Sequence, residues 1–361
     1  MTLKEIAAIT GTSVSTVSRV LHHPEHRCND SELAQRIWEI ADKYHYIPNS
    51  TARNLRLGLT DSTEPYVVDI LLTRFDYLEE DTFFLELFQH IKEELISAGC
   101  LLGDIIRSVD VLNLMHPHSN TRNLPFQASD KTTVQAAGLN MAAISAKKNT
   151  GLIILGKCPS HIIPILRRRY SCMAGIDRNP TDYEYDEVIC NGTTAAGKAV
   201  EYLISLGHKN IAYIGDCTYE ARYIGYCQAL LNHKLPLNHA NIHPTNQTEE
   251  EGFHTMLSIM KRTELPSAIF CANDSTALGV LQAMKKHKKR GYMPSVISID
   301  NIQASQHTSP MLTTIHIPKK EMSHLALTLL LDRRDKHHEE NIRLELPCRL
   351  IERESCSYLY E

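Results

Sequence analysis

Apolar positions in the first part of the chain follow helical spacing in three short segments. The first two segments are separated by Gly11, which can adopt the positive φ of a tight turn. Ser13 and Asp30 stand where N-caps of the second and third helices are expected. The pattern therefore predicts a helix-turn-helix unit with a third helix behind it. The apolar positions at helical spacing are Leu3, Ile6, Ala7 and Ile9 in the first segment, Val17, Val20 and Leu21 on the inward face of the second, and Leu33, Ile37, Ile40, Ala41 and Tyr44 in the third.

From about residue 61 onward, short apolar runs of strand type alternate with helical segments. One helix is expected over 83–98, ended by Gly99, and another over 161–169. Strands that alternate with helices indicate parallel sheets covered on both faces, and such sheets bind ligands at the carboxyl ends of their strands. The predicted strands are 67–72, 101–106, 151–155, 172–176, 210–214, 267–271 and 295–299.

The outward face of the second helix carries Ser15, Thr16, Ser18 and Arg19. Small hydroxyl side chains allow a helix to approach the major groove closely, and an arginine can donate two hydrogen bonds to guanine O6 and N7. This face is therefore a candidate reader of DNA bases. A three-helix bundle without DNA binding has the same apolar spacing and remains the alternative at this point.

Charge and composition narrow the classes further. The chain of 361 residues suggests two or three domains, and its net charge of −4 excludes a uniformly basic nucleic-acid coat. Residues 1–58 hold seven basic and six acidic side chains, so attraction to phosphate is modest and tight DNA binding needs two copies. No apolar run is long enough for a signal peptide or a membrane span, so we expect a cytoplasmic protein without a membrane partner.

Two further features of the sequence have the form of binding sites. The ten cysteines include no C-x-x-C pair, so we expect free, mostly buried thiols, no metal site and no cofactor. Gly192 to Lys198 has the G-x-x-x-x-G-K spacing of a phosphate-binding loop, but Ala199 stands where a Ser or Thr must ligate Mg²⁺. We therefore interpret this segment as an ordinary helix start and expect no enzyme activity.

Several motifs in order along the chain resemble the LacI/GalR repressor family. The headpiece and hinge motifs are Leu3-Lys4-Glu5-Ile6-Ala7, Val14 to Leu21, Tyr46-Ile47-Pro48-Asn49 and Ala52-Arg53-Asn54-Leu55. The core motifs are Leu206 to Gly215, Arg222 to Tyr226, Ala272-Asn273-Asp274 and Pro310 to Ile315. Asp81-Thr82-Phe83-Phe84 and Gly151 to Lys157 look most like regulators of β-galactoside or galactose operons.

The resemblance implies a fold and a domain plan. It predicts an all-α helix-turn-helix headpiece and an α/β core of two doubly wound parallel-sheet subdomains, similar to periplasmic binding proteins. The stretch 107–149 is longer than the matching segment of the family and is expected to be a surface insertion. The expected limits are 1–46 for the headpiece, 47–60 for the hinge, 61–190 with 318–345 for one core subdomain, and 191–317 with 346–361 for the other.

The resemblance also assigns residues to DNA. Val14, Ser15 and Arg19 would read bases, while Leu55, with Ala52 beside it, would wedge into the minor groove at the operator centre. The remaining expected DNA contacts are Thr2, Ser13, Thr16, Ser18, Asn49 and Arg53.

The same resemblance implies the residues of an effector site. Asp177, Arg222, Asn273 and Asp300 fall where the family places groups that bind hydroxyls. Phe83 and Phe84, with Asp81 before them, fall where an aromatic wall is expected, although phenylalanines at a helix start are more often core residues.

These features together predict a homodimeric transcriptional repressor of a sugar-utilisation operon. Its DNA partner would be a pseudo-palindromic operator, and its effector a small sugar, galactose or a β-galactoside being the first candidates. The alternative is a sugar-binding protein or a sugar-processing enzyme that does not bind DNA. An enzyme would need a paired acid and base or an activated nucleophile in the cleft, and the sequence offers neither.

Overall fold

The computed structural model describes residues 3–22, 31–43, 65–74, 81–108, 111, 147–218, 220–287 and 289–359. The predicted hinge at 47–60 lies outside these residues, as does most of the stretch 107–149. Within the described residues, no helix is both long and apolar enough to cross a lipid bilayer.

The headpiece consists of three helices, α1 (Leu3–Thr10), α2 (Val14–His22) and α3 (Ser31–Lys43). Gly11, between α1 and α2, has a φ of +66°, as the predicted tight turn requires. Ser13 caps α2, because its Oγ accepts a hydrogen bond from the Thr16 amide at 3.1 Å. The helices share a small apolar core of predicted positions, namely Ile6, Ala7, Val17, Val20, Leu21, Ile37 and Ala41. The predicted helix-turn-helix unit is confirmed.

The first sheet of the core has six strands in the order β11-β5-β4-β3-β1-β2. Its strands are β1 (Val67–Leu72), β2 (Leu101–Arg107), β3 (Thr150–Leu155), β4 (Met173–Asp177), β5 (Asp186–Ile189) and β11 (Arg343–Glu345). Strands β3, β4, β5 and β11 pair in parallel. All six residues of β3 are buried, as expected where helices cover both faces of a sheet.

The second sheet also has six strands, in the order β12-β10-β9-β8-β6-β7. Its strands are β6 (Ile211–Gly215), β7 (Ile242–Pro244), β8 (Ala268–Cys271), β9 (Ser295–Asp300), β10 (Thr313–His316) and β12 (Arg349–Ile351). Its pairings are parallel, except that β12 runs antiparallel to β10. The two predicted parallel-sheet subdomains are thus confirmed.

In the part of the core that the structure describes, seven helices accompany the sheets: α4 (Thr82–Ser97), α5 (Ile163–Arg169), α6 (Gly192–Ser205), α7 (Ala221–Asn232), α8 (Glu249–Met260), α9 (Asp274–Lys286) and α10 (Lys319–Arg334). The predicted helix over 83–98 corresponds to α4. Its apolar stripe at Phe84, Leu87, Phe88, Ile91 and Leu95 is buried, and Gly99 ends it with a φ of +70°.

The chain passes between the two sheets three times. It leaves the first sheet after β5, returns after β10 and leaves again after β11. The first and third connections begin side by side, since β11 pairs in parallel with β5 and Leu346 donates its amide hydrogen to the Ile189 carbonyl at 2.8 Å. Hinge motion of the two subdomains would have to be absorbed in these short segments.

Candidate functional site

Charged residues from both sheets meet at the carboxyl ends of their strands. Asp177 ends β4, Arg178 follows it, and Asp300 ends β9 of the other sheet. Arg178 Nη2 donates to Asp300 Oδ1 at 2.6 Å, and both side chains are buried. Burial raises the pKa of Asp300, although Arg178 and Arg222 oppose that shift. An ion pair therefore spans the cleft where the fold predicts a ligand site.

Phe83 and Phe84 lie at the start of α4 beside this pair, with their rings in an edge-to-face contact at 5.2 Å. The Arg178 guanidinium carbon lies 3.9 Å from the centroid of the Phe83 ring, which is close enough for a cation–π contact. Asp81 caps α4, since its Oδ1 accepts hydrogen bonds from the Phe83 and Phe84 amides at 2.9 and 3.3 Å. Phe83 thus supports Arg178, and Asp81 holds the helix start.

Arg222, near the start of α7, is fully buried, and its guanidinium donates hydrogen bonds to three different residues. Its Nε donates to Glu220 Oε1, its Nη1 to the Ala272 carbonyl and its Nη2 to Gln247 Oε1, each at 2.8 Å. Burial alone would favour protonated Glu220, but the charge of Arg222 outweighs it and lowers the pKa of Glu220 to about 2. Both groups are therefore charged at neutral pH.

Asn273 is joined to Arg222 through Gln247. Its Oδ1 caps α9 by accepting from the Thr276 amide at 3.0 Å, and its Nδ2 donates to the Gln247 carbonyl, also at 3.0 Å. Gln247 lies in the loop between β7 and α8 with a φ of +67°. The predicted residues Arg222 and Asn273 are thus brought together by a third side chain that the sequence did not indicate.

Three buried polar atoms of the cleft have no hydrogen-bond partner within the part of the chain that the structure describes. They are Asp177 Oδ2, Arg178 Nε and Gln247 Nε2. An unsatisfied buried polar atom costs about 1–3 kcal/mol, and more when it is charged. One acceptor and two donors are therefore positioned to bind a polar ligand. Burial also raises the pKa of Asp177.

Lys319 closes the cleft from the first turn of α10. Its Nζ donates to the Asp300 carbonyl at 2.7 Å and lies 3.2 Å from Glu86 Oε2. Glu86 Oε1 in turn accepts from the Gln303 amide at 2.7 Å. Glu86 and Lys319, like Arg178, Glu220 and Gln247, were not among the predicted site residues. The only available signal was position, since Arg178 follows a strand end and Lys319 follows Pro318 at a helix start.

The segment with phosphate-loop spacing is occupied by its own side chains. Asn191 Oδ1 accepts from the Thr193 and Thr194 amides at 2.9 and 3.3 Å, which caps α6. Lys198 Nζ donates to the Cys348 carbonyl at 2.7 Å. The amides and the lysine that would hold a phosphate are therefore engaged, in agreement with the predicted helix start.

The structure describes only some of the headpiece residues that are predicted to contact DNA. Val14 is 40% exposed at the start of α2, and the Ser13 hydroxyl hydrogen-bonds to the hydroxyls of Ser15 and Thr16, each at 2.8 Å. Ser18 and Arg19 belong to α2, but their side chains lie outside what is described. The other predicted contacts, Thr2, Asn49, Ala52, Arg53 and Leu55, also lie outside the described residues.

This architecture is similar to that of known transcriptional regulators. The profile of bacterial regulatory proteins of the lacI family matches residues 2–49, and that of the periplasmic binding protein-like domain matches residues 200–356. The chain is 27% identical over 362 residues to the HTH-type transcriptional repressor PurR of Photorhabdus laumondii, covering 98% of this chain and 96% of that protein. It is 28% identical to PurR of Erwinia tasmaniensis with the same coverage.

Solved structures agree with this fold along the whole chain. The transcriptional regulator CelR in complex with cellobiose matches with a TM-score of 0.63 at 19% identity, covering 99% of this chain and 100% of that one. The Lac repressor dimer bound to operator and the anti-inducer ONPF matches with a TM-score of 0.61 at 18% identity, covering 98% of each chain. The chain thus carries a DNA-binding domain of the lacI family and a periplasmic binding protein-like domain, and its relatives along almost its whole length are transcriptional repressors.

Proposed function

We propose that this repressor controls a sugar-utilisation operon and that its effector is a small, uncharged sugar held between the two core sheets. The observation that carries the proposal is the set of three unsatisfied atoms in the cleft, Asp177 Oδ2, Arg178 Nε and Gln247 Nε2. A hydroxyl group both donates and accepts. Neighbouring hydroxyls on one sugar ring can therefore satisfy a carboxylate oxygen and two N–H donors together.

The charges of the cleft favour an uncharged ligand. Among the described residues, Arg178 is paired with Asp300, Arg222 with Glu220, and Lys319 with Glu86. A further cation, Arg74, lies within electrostatic reach of the carboxylates of Asp81 and Glu220. A phosphate or carboxylate ligand would need a cation that is not already matched. The extra buried carboxylate of Asp177 would repel such an anion and attract a hydroxyl hydrogen instead.

The aromatic side chains argue against a flat nucleobase as the effector. Bases are held by stacking on an open aromatic face, but the Arg178 guanidinium already lies over the Phe83 ring. Cellobiose in the CelR complex, and ribose in a related regulator from Enterococcus faecium with a TM-score of 0.63, support a sugar in this fold. Galactose and β-galactosides remain our first candidates.

The proposed ligand contacts come from both sheets, and this is how binding would reach the DNA. Asp177 and Arg178 follow β4 of the first sheet, whereas Gln247 follows β7 of the second. A ligand that bridges them binds the closed arrangement more tightly than an open one. By linkage, a coupling of about 1–3 kcal/mol changes operator affinity by roughly 5–150-fold.

The DNA side of the proposal assigns base reading to Val14, Ser15 and Arg19 on α2, and minor-groove insertion to Leu55. Tight binding by a weakly basic headpiece calls for a homodimer on a pseudo-palindromic operator in the cytoplasm. Ser13, Thr16, Ser18 and the residues around the hinge, namely Thr2, Asn49, Ala52 and Arg53, would add contacts. In this proposal the headpiece spans 1–46, the hinge 47–60, one core subdomain 61–190 with 318–345, and the other 191–317 with 346–361.

The proposal is tested with the full-length protein in two measurements. Thermal shift is recorded with galactose, β-galactosides, cellobiose, ribose, nucleobases and sugar phosphates, because a true ligand raises the melting temperature with concentration. Mobility shift on palindromic sites upstream of the gene is then measured with and without the ligand found. A sugar that changes operator affinity supports the proposal, whereas a response only to nucleobases or phosphorylated compounds overturns the effector assignment.

Two variants test the proposed contacts with the operator. Arg19→Ala is expected to weaken operator binding by about 1–3 kcal/mol and to relax preference at one base pair per half-site. Leu55→Ala is expected to reduce DNA bending. Unchanged affinity and base preference in the first variant, or undiminished bending in the second, would remove that residue from the DNA interface.

A further inference from the structure

The start of α7 is held by a residue that follows a strand of the first sheet. The first amides of a helix have no acceptor within the helix itself. The Ala221 amide, the first of α7, donates instead to Asn179 Oδ1 at 2.9 Å. Asn179 follows Asp177 and Arg178 at the carboxyl end of β4, whereas α7 follows β6 of the second sheet. This hydrogen bond therefore ties the ligand-facing end of β4 to a helix of the other sheet.

The surrounding contacts hold α7 closely against this segment. The Gly192 amide donates to the Arg178 carbonyl at 3.0 Å, and Thr193 Oγ1 donates to the Ala221 carbonyl at 3.1 Å. Gly192 is packed so tightly that a Cβ there would lie 3.1 Å from Ala221 Cβ and 3.4 Å from the Arg178 carbonyl oxygen. The end of β4, the first connection between the sheets and the first residue of α7 thus form one close-packed junction.

The start of α7 in turn places a ligand-facing side chain of the second sheet. Arg222 is the second residue of α7, and its Nη2 donates to Gln247 Oε1 at 2.8 Å. Gln247 Nε2 is one of the three cleft atoms that have no hydrogen-bond partner within the described residues, and Asp177 Oδ2 and Arg178 Nε are the other two. The bond from Asn179 to α7 thus lies between the two sides of the proposed ligand site.

We propose that Asn179 is a positioning residue, which sets the distance between the ligand-binding groups that follow β4 and Gln247 on the opposite side of the cleft. Asn179 lies in neither of the matched profiles, which cover residues 2–49 and 200–356. Hydrogen bonds weaken steeply with distance and angle, so a small shift of Gln247 weakens its bond to a ligand. This effect on the ligand rests on the proposed function, whereas the effect on the position of α7 does not.

A purely local role of Asn179 predicts a different result. If Asn179 only satisfied the Ala221 amide, its loss would loosen the first turn of α7 and nothing else, as the loss of an N-cap does. A positioning role requires that the loosening also reach the loop 245–248, because Arg222 connects α7 to Gln247. The behaviour of this loop therefore separates the two roles.

The first experiment measures amide hydrogen exchange in the full-length protein without effector or DNA. Asn179→Leu keeps the shape of the side chain and removes the acceptor. Asn179→Asp keeps an acceptor oxygen, and its negative charge suits the N-terminus of α7. In Asn179→Leu, exchange in both 221–224 and 245–248 should become at least about tenfold faster, while exchange in β3 stays the same. Asn179→Asp should exchange like the parent.

The second experiment measures sugar binding by calorimetry with D-galactose, cellobiose and ribose. For a sugar that binds the parent, Asn179→Leu should lower the affinity at least about tenfold, and Asn179→Asp should stay within about threefold of the parent. Asn238 provides the matched control, since its Oδ1 accepts from the Ala240 amide at 3.0 Å within its own segment. Asn238→Leu should leave both the sugar affinity and the exchange in 221–224 unchanged.

The outcomes distinguish the role of Asn179 from the identity of the effector. Unchanged exchange in 245–248 of Asn179→Leu would overturn the proposal, and so would equal defects in the leucine and aspartate variants or the same defects in Asn238→Leu. A parent protein that binds no sugar would overturn only the proposed function, because hydrogen exchange reports on α7 and the loop 245–248 without any effector.

Discussion

Arg178 Nη2 lies 2.6 Å from Asp300 Oδ1, and this pair joins the end of β4 in one sheet to the end of β9 in the other. The Arg178 guanidinium packs on the face of the Phe83 ring. The backbone carbonyl of Asp300 accepts a hydrogen bond from Lys319 Nζ. The backbone of Asp300 has a φ of +127°, a conformation that costs free energy in a residue with a side chain. The surrounding contacts therefore hold Asp300 in an unfavourable backbone conformation at the proposed ligand site.

The first prediction concerns this pair. Arg178→Met leaves Asp300 as a buried, unpaired charge and is expected to lower the free energy of unfolding by about 3–5 kcal/mol. Asp300→Asn removes the same attraction from the other side. The double variant removes both charges and should be clearly more stable than the sum of the two single losses implies. Urea unfolding of all four proteins measures the coupling, and simple additivity would show that the pair contributes nothing.

Much of this fold could be predicted from the chain because its signals are local. A buried strand such as β8 is a continuous apolar run, and α4 has its apolar stripe, its glycine end and its Asp81 cap within nineteen residues. The cap at Ser13 likewise depends only on the three residues after it. Local spacing is enough for such elements.

The composition of the cleft could be predicted only in part, because its contacts are distant in sequence. Gln247 reaches Arg222 across 25 residues and Arg178 reaches Asp300 across 122. No periodicity or motif within Gln247's loop indicates that partner. Family resemblance named Asp177 but not Arg178 beside it, since resemblance transfers only positions that match a motif.

The second prediction separates ligand binding from stability at Asp177. Its Oδ2 is buried without a hydrogen-bond partner among the described residues, so Asp177→Asn removes an unfavourable charge. We expect an unchanged or higher melting temperature and unchanged operator affinity without effector. Effector affinity should fall about tenfold or more, as expected when a hydrogen bond to a charged group is lost. Asp182→Asn, at an exposed position nearby, is the control. A large loss of stability in Asp177→Asn would assign Asp177 a structural role instead.

The third prediction concerns pH. Asp274 is fully buried, and burial, with the neighbouring charge of Asp300, raises its pKa to about 7 from an ordinary value of 3.8. Between these values the folded state retains a proton that the unfolded state has lost. The free energy of unfolding should therefore fall as pH rises from about 4 to 7, with a slope of up to about 1.4 kcal/mol per pH unit from this group.

Glu220 acts in the opposite direction at lower pH. Its pKa is lowered to about 2 from 4.5, so its contribution to stability is complete above 4.5 and is lost as pH falls toward 2. From these two groups, the free energy of unfolding should be greatest near pH 4, where the loss from Glu220 ends and the decline from Asp274 begins. Urea titrations from pH 3 to pH 8 test this. Asp274→Asn should flatten the decline above pH 4, while Asp182→Asn, at an exposed position, should not. An equal slope in both variants would exclude Asp274 as its source.

The fourth prediction isolates the cap of the helix that is proposed to read DNA. Ser13 Oγ accepts from the Thr16 amide at 3.1 Å, and replacing a capping serine with alanine costs about 0.5–2 kcal/mol. Ser13→Ala should lower headpiece stability by that amount and weaken operator binding. Ser13→Asp keeps a capping oxygen and should restore stability, but its negative charge would face the phosphates if this end of α2 lies against DNA. Hydrogen exchange of α2 amides measures the first effect, and operator affinity at several salt concentrations measures the second. An operator affinity for Ser13→Asp equal to that of the parent at low salt would place this end of α2 away from the DNA backbone.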